Sequence, residues 1–309
     1  MDYLKHLPTI FLALLFNACQ SNAQHDIAFE EKDYQKFNDY WYAGKAELTN
    51  YTLQQSRYGE VHEGHAVLIF VTEDFSKEKQ VKLDRPDQAK NDAVKVMKLN
   101  FTKKFNTGIY PYSMMSSTFT PVQRDQFPNS FKVTSSSQEW CGHTFTQLNL
   151  RKNNFDLSGF SYFESEGDLD KEIDKVLLED EVWNLIRLNP EQLPVGTIEI
   201  IPGTFASRLM HTPLQKVNAN AKLSNSQNED FKGENVLVYE IQYEKPQRIL
   251  NIYFEKNFPH QILGWEEEYK GTGGKQLTTK AVQKKSMQLD YWRKNSPEDE
   301  SLRKELGLD

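Results

Sequence analysis

The chain has 309 residues, of which 38% are apolar, 26% charged and 12% aromatic, and its net charge is −7. That is enough chain to bury a sizeable core, and the absence of a concentrated basic face argues against a nucleic-acid partner. Two cysteines, Cys19 and Cys141, exclude a disulfide framework and leave at most one bridge, between the two of them.

The first residues read as an address. Lys5 supplies the cation of a short n-region, and Leu7 to Phe16 is an apolar run broken by Pro8 and Thr9. Such a run is too short to span a bilayer and suits a signal-peptide core. It leads to Phe16-Asn17-Ala18-Cys19, which resembles a bacterial lipobox. On that reading residues 1–18 are a signal peptide, Cys19 is lipidated, residues 19–36 are a polar tether, and 37–309 form the domain. The expected partner is then the membrane, through the lipid anchor, and the expected location is the outer membrane of the envelope. Cleavage after Ala23, giving a soluble periplasmic protein, is the alternative, and a plain N-terminal anchor is a third.

The mature chain reads as mainly β. A strand, a turn near Tyr58-Gly59 or Glu63-Gly64, and a second strand are expected from Asp39 to Asp74. Ala66–Val71 is apolar at every position, as in a strand buried on both faces. Lys77–Asn91 reads as loop. Over Val94–Phe105, Met97, Leu99 and Phe101 alternate with Lys98, Asn100 and Thr102, as a half-buried strand requires. Further strands are expected near Ile109–Thr118, Phe131–Ser136, Thr144–Arg151 and Phe155–Phe163, with a turn at Asn153-Asn154. From Gly167 to Leu188 the spacing of Leu169, Ile173, Val176 and Leu177, then Val182, Leu185 and Ile186, predicts one broken helix or two short ones, stopped at Asn189-Pro190.

Thr197–Ile201 reads as a short strand between Pro-Gly breakers, and Asn218–Lys232 as a polar loop and sub-boundary. Strands return at Leu237–Tyr243, Leu250–Phe254, Ile262–Lys270 and Lys275–Gln283, the last two joined by Gly271-Thr-Gly-Gly274. Ser296 and Pro297 open a short C-terminal helix. The fold expected is α+β with large antiparallel meander sheets, or one long curved sheet, and a central helix packed on it.

Candidate chemistry is sparse. Cys141 and His143, with Glu139 beside them, would share a face if they lie on one strand, and could form a thiolate–imidazolium pair. Otherwise Cys141 is a small packed hydrophobe. His62 and His65 would face one another if Glu63-Gly64 were a turn, but two ligands do not make a zinc site. Glu164-Ser-Glu-Gly-Asp-Leu-Asp170 faintly follows a calcium loop and fits better as an acidic turn before a helix. Glu266-Glu-Glu268 reads as the charged face of an edge strand. No phosphate-cradling loop, nucleophile elbow or HExxH is present, so no cofactor is expected.

Four stretches, Asp39-Tyr-Trp-Tyr-Ala-Gly-Lys45, Val71-Thr-Glu-Asp-Phe-Ser-Lys77, Ser137-Gln-Glu-Trp-Cys-Gly142 and Ile262-Leu-Gly-Trp-Glu-Glu267, together resemble a group of lipoproteins of this length from Bacteroidetes. The resemblance implies an envelope location and no particular activity. Some of that group bear the label "septum formation inhibitor Maf". The nucleotide-substrate motif of true Maf proteins is absent here, and the leader contradicts a cytosolic substrate. Three functions follow in order: binding of an apolar or extended ligand, or of an envelope protein, without catalysis; a structural or assembly role in the outer membrane; and a hydrolase or transferase using Cys141 and His143.

Overall fold

The computed structural model describes residue 27 and residues 33–270 and 274–308. The leader, Cys19 and most of the tether lie outside the described residues, as do three of the four residues of the Gly271–Gly274 turn. Among the described residues no helix is long and apolar enough to cross a membrane.

The protein is mainly β: sixteen strands form one sheet, and four α-helices accompany it. The first half runs outward from the middle of the sheet. It comprises β1 (Ala46–Arg57), β2 (Glu60–Ser76), the two-residue β3 (Val81–Lys82), β4 (Ala93–Thr107), β5 (Tyr110–Pro121), β6 (Lys132–Glu139), β7 (Gly142–Leu150), β8 (Asn154–Ser161) and β9 (Leu169–Asp174). The chain then restarts at the other edge with β10 (Leu177–Leu178) and β11 (Gly196–Ile201). It returns through β12 (Val217–Asn225), β13 (Val236–Tyr243), β14 (Arg248–Glu255) and β15 (Ile262–Lys270) to β16 (Gln276–Leu289). There β16 pairs with β1, so the two halves join in the middle. The pairings are antiparallel except β10–β11, which is parallel.

The outer strands β9 and β10 are the two edges of the sheet, yet only Lys175 and Val176 separate them in the chain. Three Cα steps reach about 11 Å at most, so the sheet must curl until its edges nearly meet. A cluster of Val133, Leu148, Phe155, Leu157 and Ile173 from one side with Leu178 and Ile201 from the other holds that seam. The sheet is an open, strongly curved trough and not a closed barrel.

The trough is filled by α2 (Glu179–Leu188), which follows β10 directly. Val182, Trp183, Leu185, Ile186 and Leu188 are all buried, as expected of a helix surrounded by protein. Trp183 meets Phe101 and Trp265 edge-on, at 5.2 and 5.3 Å between ring centroids. The polar residues of α2 are tied to strands around the trough. Arg187 forms a two-pronged ion pair with Glu47, and its Nε donates to the Pro259 carbonyl at 3.0 Å. Asn184 donates to the Thr120 hydroxyl at 2.8 Å, and Glu181 accepts from the Ser130 backbone and hydroxyl at 2.7 Å. Glu179 takes the guanidinium of Arg248, which also pairs with Glu267. The Cβ of a side chain at Gly203 would lie 2.4 Å from the Glu179 carboxylate, so glycine makes room for that pair.

Four expectations change. Asp39–Trp41 is the end of a helix, α1 (Tyr34–Trp41), capped by Asp33 and beginning inside the span assigned to the tether. Its Phe37 and Trp41 cover the trough. Leu169–Asp174 is the edge strand β9 and not helix: its apolar residues fit a helical spacing, but β8 offers a free edge, and Leu169 stays 39% exposed. Asn218–Asn225 is strand β12, because Ala219, Ala221 and Leu223 alternate inward behind the Asn and Lys residues. Lastly, β15 is a central strand, flanked by β14 and β16. Glu267 therefore points into the trough and is buried, while Glu266 and Glu268 pair outside, with Lys280 and Gln276.

Candidate functional site

The hairpin register places the turns Tyr58-Gly59, Gly108-Ile109 and Trp140-Cys141, and the turn after β8, at one end of the trough. The short helix α3 (Thr204–Met210) ends there too. Loop tips over a rigid sheet are where binding groups concentrate. Here the tips carry large exposed side chains: Tyr58, Ile109, Trp140 and Tyr162, with Phe160 nearby on β8.

A groove of about 330 Å³ lies between β7, β8, β9 and α3, with Phe160 in its lining. Seven hydroxyl residues line it: Thr144, Thr146, Ser161, Ser165, Thr204, Ser207 and Thr212. Arg208, His211 and Glu166 stand at its wall. Glu166 accepts from the Ser161 hydroxyl at 3.0 Å, lies 2.6 Å from His211 Nδ1, and takes Arg208 at 3.4 Å. Arg208 also reaches toward Glu139 at 3.8 Å and lies over the Phe163 ring, 4.5 Å from its centroid. His211 meets the same ring edge-on.

The Arg208 side chain is only 9% exposed, yet its Nε has no hydrogen-bond partner among the described residues, and neither does the buried hydroxyl of Ser207. Arg57, beneath the Tyr58 ring at 4.4 Å, likewise leaves its Nε unpartnered while donating to the Leu209 carbonyl. Buried donors of this kind are normally satisfied, and leaving one without a partner costs about 1–3 kcal/mol. Three such atoms lie in one corner of the molecule, two of them on residues that line the groove.

The sequence candidates fall around this corner in unexpected ways. Trp140 and Cys141 are the two central residues of the β6–β7 turn, because Glu139 pairs with Gly142. Cys141 therefore does not share a strand with His143. The thiol is exposed, and a hydrogen bond from it to Glu139 pushes its pKa up, against what a nucleophile needs. Glu139 also accepts the backbone N–H of Cys141 at 2.6 Å, so its work is to shape the turn and face Arg208. His143 is exposed on β7, beside Phe145 and Asp168 on a shallow outer surface.

His62 and His65 both lie on β2, since the turn is Tyr58-Gly59. Three residues apart on a strand, they face opposite sides; His62 contacts the Arg57 carbonyl at 3.2 Å. Among the described residues no group of three or more His, Cys, Asp or Glu is placed to hold a metal. The acidic run 164–170 is a turn after β8 that leads into the edge strand β9 and not into a helix, and its Glu166 meets a histidine and an arginine.

Sequence reasoning missed Arg57, Arg208 and His211: Arg57 precedes the turn residue Tyr58, but no local pattern marks the other two. It also missed Lys103. The alternation of β4 puts that residue on the inward face with Leu99, Phe101 and Phe105. Its ammonium lies 5.5–5.9 Å from the rings of Phe101, Phe205 and Trp265, and burial lowers its pKa.

Compared with known protein families, curated proteins and solved structures, the chain matches none of them.

Proposed function

We propose that this is a non-catalytic binding protein of the bacterial envelope, held by a lipid at Cys19, and that its ligand is a saccharide chain received in the groove beside Arg208. The observation that carries this reading is a groove whose lining joins seven hydroxyl side chains and the exposed ring of Phe160 to Arg208 and Ser207, two residues that each hold a buried polar atom without a partner among the described residues. A pyranose offers the complement: a CH face that packs on an aromatic ring and a periphery of hydroxyls that both donate and accept.

The concave face of the sheet, where the sequence placed an extended apolar ligand, is filled by α2 with Trp183, Leu185 and Ile186. Covalent catalysis is not favoured by a thiol whose pKa is raised. Wall charges of both signs, Arg208 and Glu166, suit a neutral or zwitterionic sugar better than a polyanion.

The test is saturation-transfer NMR on the full chain, with hexose and N-acetylhexosamine oligosaccharides of four to six units as probes. The reading expects transfer to ring C–H protons, reduced at least tenfold by Arg208→Ala and by Phe160→Ala. No transfer from any of these oligosaccharides, or transfer indifferent to both substitutions, overturns it.

A further inference from the structure

A second cleft lies on the opposite, convex face of the sheet, away from the groove. The C-terminal segment, ending in α4 (Ser301–Glu305), crosses the outer side of β16, β1, β2 and β4 there and leaves a cleft of about 310 Å³. Its floor and walls are apolar: Leu48, Val67, Ile69 and Met287 from the strands, Leu302 and Leu306 from the segment. Part of this surface belongs to a small cluster of its own, with Ala46, Leu48, Val71 and Leu306 buried and Ile69, Met287 and Leu308 only partly covered.

The mouth of that apolar cleft is cationic. Lys104, Lys294 and Arg303 line it against one carboxylate, Asp299, and Asp299 is engaged by the Ser296 N–H and hydroxyl at 3.2 and 2.9 Å. No ion pair joins Lys104, Lys294 or Arg303 to a carboxylate among the described residues; the neighbouring Lys284 reaches the Gly307 carbonyl at 3.2 Å. His65 stands directly across from Lys104 in the β2–β4 register. Burial, then Lys104, Arg303 and Lys284, lower its pKa, so the positive potential at this mouth is felt by a titrating group inside it.

From an apolar trench closed at its rim by unpaired cations, we infer that the cleft binds a single-chain anionic amphiphile, a fatty-acid carboxylate, with the chain against Leu48, Ile69 and Met287 and the carboxylate at Lys104 and Arg303. A chain alone would leave the cations unanswered, and a small anion alone would leave the trench wet. The volume is at the small end for ligand sites, which suits one chain and excludes a two-chain lipid. This inference is independent of the saccharide reading.

Dodecanoate, below its micellar range, is the probe, with dodecanol and acetate as controls and the His65 imidazole resonances of the full chain as the readout. Dodecanoate is expected to shift His65 saturably and to raise its pKa, since a bound carboxylate offsets the cations. Dodecanol and acetate are expected to do neither at equal concentration. The exposed double variant Lys104→Glu/Arg303→Glu should weaken dodecanoate at least tenfold, and raising the salt on the wild type should weaken it in the same direction. An unsaturable response, equal binding of dodecanol, or binding unchanged by both charge reversal and salt each overturns the inference.

Discussion

Two groups of arginines in this molecule make an instructive contrast. Inside the trough, Arg187 and Arg248 are buried and fully engaged, Arg187 by Glu47 and the Pro259 carbonyl, Arg248 by Glu179 and Glu267. At the turn end, Arg57 and Arg208 are almost as well buried, but each leaves its Nε without a partner, and the carboxylates nearest Arg208 stand at 3.4 and 3.8 Å. The same side chain therefore does two things. In the trough it pins the central helix to the sheet. At the turns it is held in place by rings, Phe163 and Tyr58, and keeps donors in reserve. Burial of charge alone does not mark a site.

The contrast is broken first by substitution in the trough. Arg187→Ala strands the Glu47 carboxylate, which is 1% exposed, and should cost about 3–5 kcal/mol of unfolding free energy, read from the midpoint of urea denaturation. Arg208→Ala should cost less, because its nearest carboxylates stand at 3.4 and 3.8 Å and no close ion pair is broken, while saccharide binding falls at least tenfold. If the two variants lose stability equally, the distinction between pinning and waiting arginines fails.

Gly142→Ala sharpens the turn end. A Cβ at Gly142 would lie 2.6 Å from the Tyr162 side chain, so the ring must move. The expected result is a several-fold loss of saccharide binding with near wild-type stability, measured by titration and thermal unfolding together. Unchanged binding would show that Tyr162, which stands outside the groove's lining, does not set the groove's shape.

A smaller effect concerns pH. Burial, the largest cause, pushes the Asp180 carboxyl up to about 6, against its hydrogen bonds from Thr204. A folded-state pKa above the unfolded value means that the folded protein holds this proton more tightly. The contribution is therefore present below about pH 4 and is lost as pH rises through about 6. Relative to the wild type, Asp180→Asn should flatten the fall in stability across that window. The carboxyls of Glu47 and Glu267, held below their ordinary values by Arg187 and Arg248, act in the opposite sense and cancel in the comparison. Smallest of all, Cys141→Ser should leave stability and binding within error, since the thiol is exposed, the backbone N–H still reaches Glu139, and a serine hydroxyl can donate to Glu139 in the thiol's place; a loss of binding would restore a role for the thiol.

Much of the fold was legible because a strand with one buried face writes its period into the chain. Met97, Leu99 and Phe101 on β4 and Leu237, Tyr239 and Ile241 on β13 are all inward and buried, as their alternation predicts. The single curved sheet with a central helix follows from strands that meander around one helical stretch. The errors came where two periods fit the same residues. Leu169, Ile173, Val176 and Leu177 suit a helix by spacing, and only the free edge of β8 makes the first of them strand. In β12 the small inward residues Ala219 and Ala221 carry little hydrophobic signal, so Asn218 and Asn220 dominated the reading.

The candidate site was barely legible, for a physical reason. Its members come from the end of β1, three or four separate turns and α3, and nothing in a local window brings Arg57, Glu166 and Arg208 together. The turn Glu139–His143, singled out by sequence, lies at this end of the trough, but Cys141 and His143 do not share a strand there; Glu139 faces Arg208, a partner supplied by long-range register.

The most direct test observes the arginine Nε–H groups themselves, by 15N–1H correlation on the full chain as an N-acetylhexosamine oligosaccharide is added. The account predicts that Arg208 Nε–H shifts saturably while Arg187 and Arg248 Nε–H, already hydrogen-bonded inside the trough, stay where they are. A ligand that saturates the protein without moving Arg208 Nε–H, or an Arg208 Nε–H untouched by any oligosaccharide, would contradict the assignment of this groove as the binding site.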